Sequence, residues 1–235
     1  MPPTIHVIRH AEAAHNVAKD ATLRDPKLTE TGLSQCEKLA SEVAKLGPIE
    51  VVLCSPMKRT IQTALAGFPD YVRSKKRIVL LPDLQESGKE PCDIGSTREE
   101  LEREFGRARL DYSFVAPGWT DKTPSSRYAP QCVLKRARAT RLFLRTVAQR
   151  HRDTDAHIAV VTHGTYIGAL TRTYGQLFGN TEMRSFRFDP LVGGDDIDAL
   201  LVETPSSIAR RDGNTSFLSK IPIPQKKTLR FFKKS

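Results

Sequence analysis

The sequence predicts an α/β protein on a mainly parallel, open sheet with helices on both faces, and three observations carry that expectation. Six short β-rich runs, 5–8, 49–53, 77–81, 158–161, 185–188 and 197–202, have the length and composition of buried strands. Between them apolar residues recur three or four apart, as in Cys36, Leu39, Ala40, Val43 and Leu46, in Val133, Ala137, Leu144, Val147 and Ala148, and in Ile167, Leu170, Tyr174 and Leu177. That is the period of one helix face. Strands alternating with helices point to parallel pairing, because each parallel crossover needs a long connection. The third observation is size: 235 residues, 39% of them hydrophobic, with no repeat and no break in composition, suit one domain with a sizeable core.

Taken in order, the first run ends at Arg9-His10, and the helix carrying Cys36 to Leu46 leads to the second, which stops at Ser55-Pro56. The third run ends before Leu84-Gln85-Glu86. From 87 to 130 the alternation lapses: the segment holds Pro91, Pro117, Pro124 and Pro130, one helical pattern over 98–105, and the only tryptophan, Trp119. A segment of that length inside a compact domain is expected to be a functional lid inserted after the third strand. The helix over 133–148 returns the chain to the fourth run, which ends at His163-Gly164, and two further runs complete the sheet. After Val202 the composition turns to Pro, Ser, Arg and Lys, so the expected organisation is a catalytic domain over 1–204 and a basic tail over 205–235.

Charge and composition narrow the function classes. The net charge is +10, from 37 basic and 27 acidic side chains, a balance that attracts phosphates and acidic surfaces. The basic helix (Lys135, Arg136, Arg138, Arg141, Arg145) reads as a solvated face, and its single aromatic, Phe143, argues against a nucleic-acid surface. No apolar run approaches the roughly 20 residues of a membrane span, and the N-terminus lacks the pattern of a signal peptide. The expected location is the cytoplasm or nucleus. Cys36, Cys54, Cys92 and Cys132 match no zinc or redox spacing and read as reduced and structural.

In an open parallel sheet ligands bind beyond the carboxyl ends of the strands. Four strand ends here carry Arg9-His10-Ala11-Glu12 followed by His15-Asn16, Ser55-Pro56-Met57-Lys58-Arg59, Glu86, and His163-Gly164. Two histidines, two arginines, a carboxylate and an amide suit phosphoryl transfer: an imidazole attacks phosphorus, guanidiniums neutralise the transferred group, and a carboxyl group protonates the leaving oxygen. The planar guanidinium fork binds phosphate oxygens in pairs. His6 reads as a hydrogen-bonded core residue and His15 as a bystander.

Arg9-His10-Ala11-Glu12 with Asn16 resembles the signature of the histidine phosphatase superfamily, in its phosphoglycerate-mutase-like branch. Leu28-Thr29-Glu30-Thr31-Gly32, Ser55 to Ala64, Leu84-Gln85-Glu86 and Val161-Thr162-His163-Gly164 support it in family order. The resemblance implies a three-layer sandwich and a phosphatase needing no metal and no cofactor. It also implies that His10 forms a phosphohistidine, that Arg9, Arg59 and His163 line the phosphate pocket, and that Asn16 and Gly164 donate further hydrogen bonds. Glu86 is then the general acid, with Asp93 second in line, since Gly164 replaces the Asp of the acid-phosphatase branch. Ala11 stands where the family usually has glycine. The Trp and Thr-Gly-Trp elements of the mutases are missing, which favours hydrolysis over a mutase reaction; a weakly active phosphate-sensing or protein-binding member is the alternative. The expected partner is a small phosphorylated substrate or a phosphoprotein, its selectors lying among lid residues such as Lys89, Arg98, Trp119 and Arg127.

Overall fold

The structure, a computed structural model, describes residues 2–152, 154–189 and 197–213. In chain order the elements are β1 (Thr4–Arg9), α1 (Ala14–Ala18), α2 (Glu30–Val43), β2 (Ile49–Cys54), α3 (Lys58–Gly67), α4 (Pro69–Arg73) and β3 (Ile78–Leu80). They continue with α5 (Arg98–Phe105), β4 (Leu110–Asp111), α6 (Val133–Arg150), β5 (His157–Thr162), α7 (Gly164–Thr171), β6 (Met183–Phe188), β7 (Leu201–Glu203) and α8 (Pro205–Arg211). The seven strands form one sheet in the order β4-β3-β2-β5-β1-β6-β7. Five are parallel; β6 pairs antiparallel with β1, and β7 antiparallel with β6.

Alternation along the central strands builds a core on each face, as a parallel sheet covered on both sides requires. Ile8, Val52, Cys54, Ala159 and Val161 pack against Leu39 and Val43 of α2 and Ile61 and Ala64 of α3. Ile5, Val7, Leu53, Ile158 and Val160 face the other way, against Ala137 and Leu144 of α6 and Ile167 and Leu170 of α7. The result is the expected three-layer α/β arrangement. Register then fixes the site: Arg9 stands beside Thr162, and Cys54 beside Val161 and Leu80, so β1, β5, β2 and β3 end almost level and adjacent.

Several elements differ from the sequence expectation. The helix traced through Leu177 ends at Thr171, where Arg172 turns left-handed with φ 57°, leaving Tyr174 and Leu177 exposed. Segment 87–130 contributes an edge strand, β4, and sends Leu101, Tyr112, Val115 and Trp119 into the core. Trp119 packs so closely on Gly95 that a Cβ there would collide with its ring. Arg98 pairs with Glu102 and Arg127 with Asp83. The segment thus carries part of the core, which no alternation in its sequence announced.

Residues 205–211, expected to begin the tail, form α8 against β6. Ser207 is buried; its hydroxyl accepts the Ser185 N–H and donates to Glu203 Oε1. The lysine cluster Lys226 to Lys234 lies outside the described residues. A chain ending at Thr204 loses the hydroxyl that satisfies the β6 edge, at a cost of about 1–3 kcal/mol for the buried donor left unpaired. Its Tm is expected to fall by about 2–12 °C relative to a chain ending at Gly213; equal melting temperatures by calorimetry would show that α8 contributes no stability.

Candidate active site

The strand ends meet in a cavity of about 250 Å³ lined by Arg9, His10, His15, Asn16, Arg59, Glu86, Asp93, Gly164, Thr165, Leu177 and Phe178. Its size lies just below the range of roughly 300–1,000 Å³ typical of ligand pockets, which suits a small headgroup.

His10 follows β1, with its N–H on the Thr162 carbonyl. Its ring is buried, and Nδ1 lies 2.7 Å from the Ala11 carbonyl. A carbonyl only accepts, so Nδ1 carries the proton and the Nε2 lone pair is left for chemistry. Burial first, then the Arg59 charge, holds His10 well below the ordinary histidine range and keeps it neutral. Ala11 takes no left-handed backbone angle, so its methyl group costs nothing there. The Ala11 N–H goes to Thr63 Oγ1, and Gly32 of α2 sits against the Glu12 carbonyl, where a Cβ would collide. Those contacts explain the Thr29-Glu30-Thr31-Gly32 motif as packing for the loop behind the histidine.

Arg59 lies in the first turn of α3, almost wholly buried. One Nη donates to the Cys92 carbonyl at 2.8 Å and the other lies 3.6 Å from Asp93 Oδ1. Asp25, itself buried with φ 42°, accepts the N–H groups of Lys58 (3.0 Å) and Ser96 (2.8 Å) and so fixes the start of α3. Burial raises the Asp25 carboxyl. Arg9 donates Nη1 to the Phe178 carbonyl at 2.7 Å, and Gly164 leaves room for it, since a Cβ there would lie 3.3 Å from its Nε. His163, at the N-terminus of α7, bonds Ser55 Oγ at 2.9 Å and sets its ring edge-on to His10, 5.3 Å between centroids. Burial, with Arg59 next, depresses its pKa too.

Glu86 closes the opposite side. Its carboxylate accepts the N–H groups of Ser87 (2.7 Å), Tyr166 (3.0 Å) and Thr165 (3.2 Å), so it rests on the amino end of α7. The segment bearing it is held by three side chains. Arg136 donates to the carbonyls of Asp83, Gln85 and Glu86, Lys122 to that of Glu86 at 2.8 Å, and Thr162 to that of Leu84 at 2.6 Å. The sequence expectation for Arg136 and Arg141 was a solvated face; both are buried, because backbone carbonyls of 83–86 and of Ala169 and Leu170 give the guanidiniums a place to pair. Burial, then Arg136, brings the Lys122 ammonium down to about 7. Asp93 stands opposite, its carboxyl raised by burial and next by Glu86.

The structure therefore brings every expected site residue to one cavity or its wall. His15, expected as a bystander, also lines the cavity, its ring 6.0 Å from that of His10. Asn16 spends its amide on its own loop, accepting from the Ala13 N–H and facing His15. Asp25, Lys122 and Arg136 were missed; only the Arg24-Asp25-Pro26 turn offered any signal. His6 is the expected core residue, bonded to Ser185 and His157. Among the described residues six buried side-chain nitrogens have no hydrogen-bond partner: Arg9 Nε, Arg59 Nε, His15 Nδ1 and His163 Nδ1 at or beside the cavity, and Trp119 Nε1 and Arg136 Nε elsewhere.

Residues 5–191 match the family described as the histidine phosphatase superfamily, branch 1. The chain belongs to that superfamily. A Schizosaccharomyces pombe protein named a probable phosphatase is 30% identical over 168 residues, covering 70% of this chain and 75% of that one. A phosphoglycerate mutase-like protein of Arabidopsis thaliana is 42% identical over 76 residues, 28% of each chain. Among solved structures, an Entamoeba histolytica phosphoserine phosphatase mutant in complex with phosphoserine has a TM-score of 0.53 at 20% identity, covering 86% of this chain and 95% of its own. A mycobacterial glucosyl-3-phosphoglycerate phosphatase has a TM-score of 0.55 at 17% identity, covering 86% and 96%. Family and relatives make this chain a phosphatase. Among the described residues no helix is long and apolar enough to cross a membrane, and no group of three or more His, Cys, Asp or Glu is placed to hold a metal ion.

Desolvation lowers His6 to about 3 and His15 to about 4, and holds His10 and His163 below the ordinary 6.5. Unfolded, all four protonate near 6.5, so below that pH the unfolded chain binds more protons at these sites and they withdraw stability as pH falls. ¹⁵N NMR at a pH of about 5.5 is expected to show His10 and His163 uncharged; a midpoint near 6.5 for either would contradict the burial argument.

Proposed function

We propose that the protein hydrolyses phosphomonoesters through a phosphohistidine on His10, without a metal requirement, on a small phosphorylated substrate or a phosphoprotein. The observation that carries this is one cavity holding His10, whose Nε2 is left bare by the Nδ1 bond to Ala11, together with Arg9 and Arg59, each with an unpartnered Nε. Buried donors without acceptors are costly, and the oxygens of a phosphoryl group are acceptors of the right number and charge. Arg9 and Arg59 together balance a phosphate dianion. The Entamoeba and mycobacterial neighbours of the same fold were solved in complex with phosphoserine and with VO3, which supports a phosphorylated ligand.

In the first step the Nε2 lone pair of His10 forms the N–P bond as the ester P–O bond breaks, and Glu86, which enters this step in its protonated carboxyl form, gives that proton to the departing oxygen and becomes the carboxylate. In the second, water attacks the phosphohistidine, Glu86 takes the water's proton, and inorganic phosphate leaves with His10 restored. Arg9, Arg59 and His163 hold the three oxygens as charge builds on them. Asp93 is the second reading for the acid, favoured by its place in the cavity and its raised carboxyl.

His10→Ala is expected to abolish turnover with the fold intact, and rapid quench of the wild type with a labelled phosphoester should trap an acid-labile adduct. Turnover that EDTA removes and Mg²⁺ restores would contradict this mechanism. Glu86→Gln should cost about 10²-fold with alkyl phosphates and far less with p-nitrophenyl phosphate, whose leaving group needs no proton. If Asp93→Asn shows that leaving-group dependence and Glu86→Gln does not, Asp93 is the acid.

A further inference from the structure

We propose that Arg184, on β6 and outside the cavity, is a positioning residue for Arg9 and acts through the carbonyl of Phe178. The proposal rests on Arg9 being one of the two cations that clamp the phosphoryl group. Residues 172–182, between α7 and β6, form neither helix nor strand, yet they meet the start of the catalytic loop at four points. The Arg9 N–H donates to the Glu182 carbonyl at 3.3 Å, and the Thr181 N–H to the Arg9 carbonyl at 3.2 Å. Asn180 Nδ2 donates to the His10 carbonyl at 3.0 Å, and Arg9 Nη1 to the Phe178 carbonyl at 2.7 Å. Only the last of these acts on the guanidinium, and it is the one side-chain hydrogen bond that Arg9 makes among the described residues.

The direction of the Phe178 carbonyl is set by an ion pair. Arg184 is only 4% exposed, and its guanidinium lies over the Phe178 ring, 3.9 Å from the centroid. Its Nη2 donates to the Leu177 carbonyl at 3.0 Å, Nη1 to Gln176 Oε1 at 3.3 Å and Nε to Glu182 Oε1. The other oxygen of Glu182 accepts the Gly179 N–H at 2.7 Å. The pair therefore ties down the residue on each side of Phe178. The Phe178 carbonyl and the Gly179 N–H belong to one planar trans peptide, so an N–H held by Glu182 aims the carbonyl the opposite way, at Arg9. Leu177 is exposed and Gly179 has no side chain, so of these three residues only Phe178 is held by packing. A buried ion pair is a poor source of stability, because desolvation offsets its attraction. What this one supplies is geometry: it fixes the acceptor that orients a phosphate-binding cation, where a displacement of about 1 Å weakens catalysis.

The test is a double-mutant cycle on p-nitrophenyl phosphate turnover by the full chain. Arg184→Met keeps an apolar stem beside the Phe178 ring and removes every donor. It is expected to lower kcat/KM about 10-fold or more, the scale of one hydrogen bond to a charged group. In an Arg9→Met background the same change is expected to cost less than about 2-fold, because the residue it acts through is gone. Equal losses in the two backgrounds, which a merely structural role gives, or no loss in either, would overturn the proposal. Arg184→Lys keeps the charge beside Glu182 without the fork; it is expected to show the same loss and the same dependence on Arg9, and it serves if the Met variant does not fold. A second arm reads Arg9 itself and needs no turnover. In ¹⁵N NMR of wild type the two Nη groups of Arg9 are expected as separate signals, since the Phe178 bond hinders rotation of the guanidinium, and as one averaged signal in the Arg184 variants. An averaged signal in wild type, or separate signals in the variants, would overturn the proposal. Turnover by wild type with no dependence on Arg184 removes this proposal alone; wild type without turnover removes the phosphatase mechanism, and the NMR arm then decides whether Arg184 positions Arg9.

Discussion

Burial, with the Arg59 and Arg9 charges, keeps His10 neutral, and its single ring proton, on Nδ1, donates to the Ala11 carbonyl 2.7 Å away. The rest of the pocket depends on that bond. With Nδ1 committed to the carbonyl of its own neighbour, the reactive lone pair is on Nε2, and the ring cannot flip without losing a charge-free hydrogen bond in a dry environment. Thr63 holds the Ala11 N–H, and the helix bearing Gly32 holds the Glu12 carbonyl, so the loop that positions the ring is itself fixed from both sides. The neighbouring histidines obey the same constraint: His163 and His15 are kept from protonating by burial beside Arg59.

The sheet supplies the convergence. Because β1, β2, β3 and β5 lie side by side and end nearly level, four chain segments far apart in sequence bring Arg9 and His10, Arg59, Glu86, and Gly164 to one small cavity. The carboxylate needs more support than the others. Glu86 follows a short strand near the edge of the parallel set, and three side chains, from α6, segment 87–130 and β5, clamp the backbone on either side of it. Segment 87–130 therefore belongs to the catalytic scaffold as much as to any cover over it. Its Lys122 donates to the Glu86 carbonyl, and its Pro91–Asp93 turn brings the Cys92 carbonyl and Asp93 to Arg59.

The strands, the main helices and the residues at the strand ends were legible in the sequence, because periodicity and strand-end position are properties of consecutive residues. His10, Arg9, Arg59, Glu86 and His163 all stand where that pattern put them. What escaped depends on partners that leave no local mark. Arg136 looks like any arginine on a charged helix until the carbonyls of 83–86 are placed beside it. α8 reads as tail because its hold on β6 comes through the Ser207 hydroxyl and small buried residues rather than an apolar stripe. β4 is two residues long and exists only because β3 offers an edge.

The most direct measurement of the central claim is a crystal structure of the full chain with orthovanadate, which mimics the phosphoryl group in transfer. The account predicts vanadium bonded to His10 Nε2, with Nδ1 still on the Ala11 carbonyl and the vanadate oxygens on Arg9, Arg59 and His163. Vanadate bound through Nδ1, or seated away from His10, would contradict it.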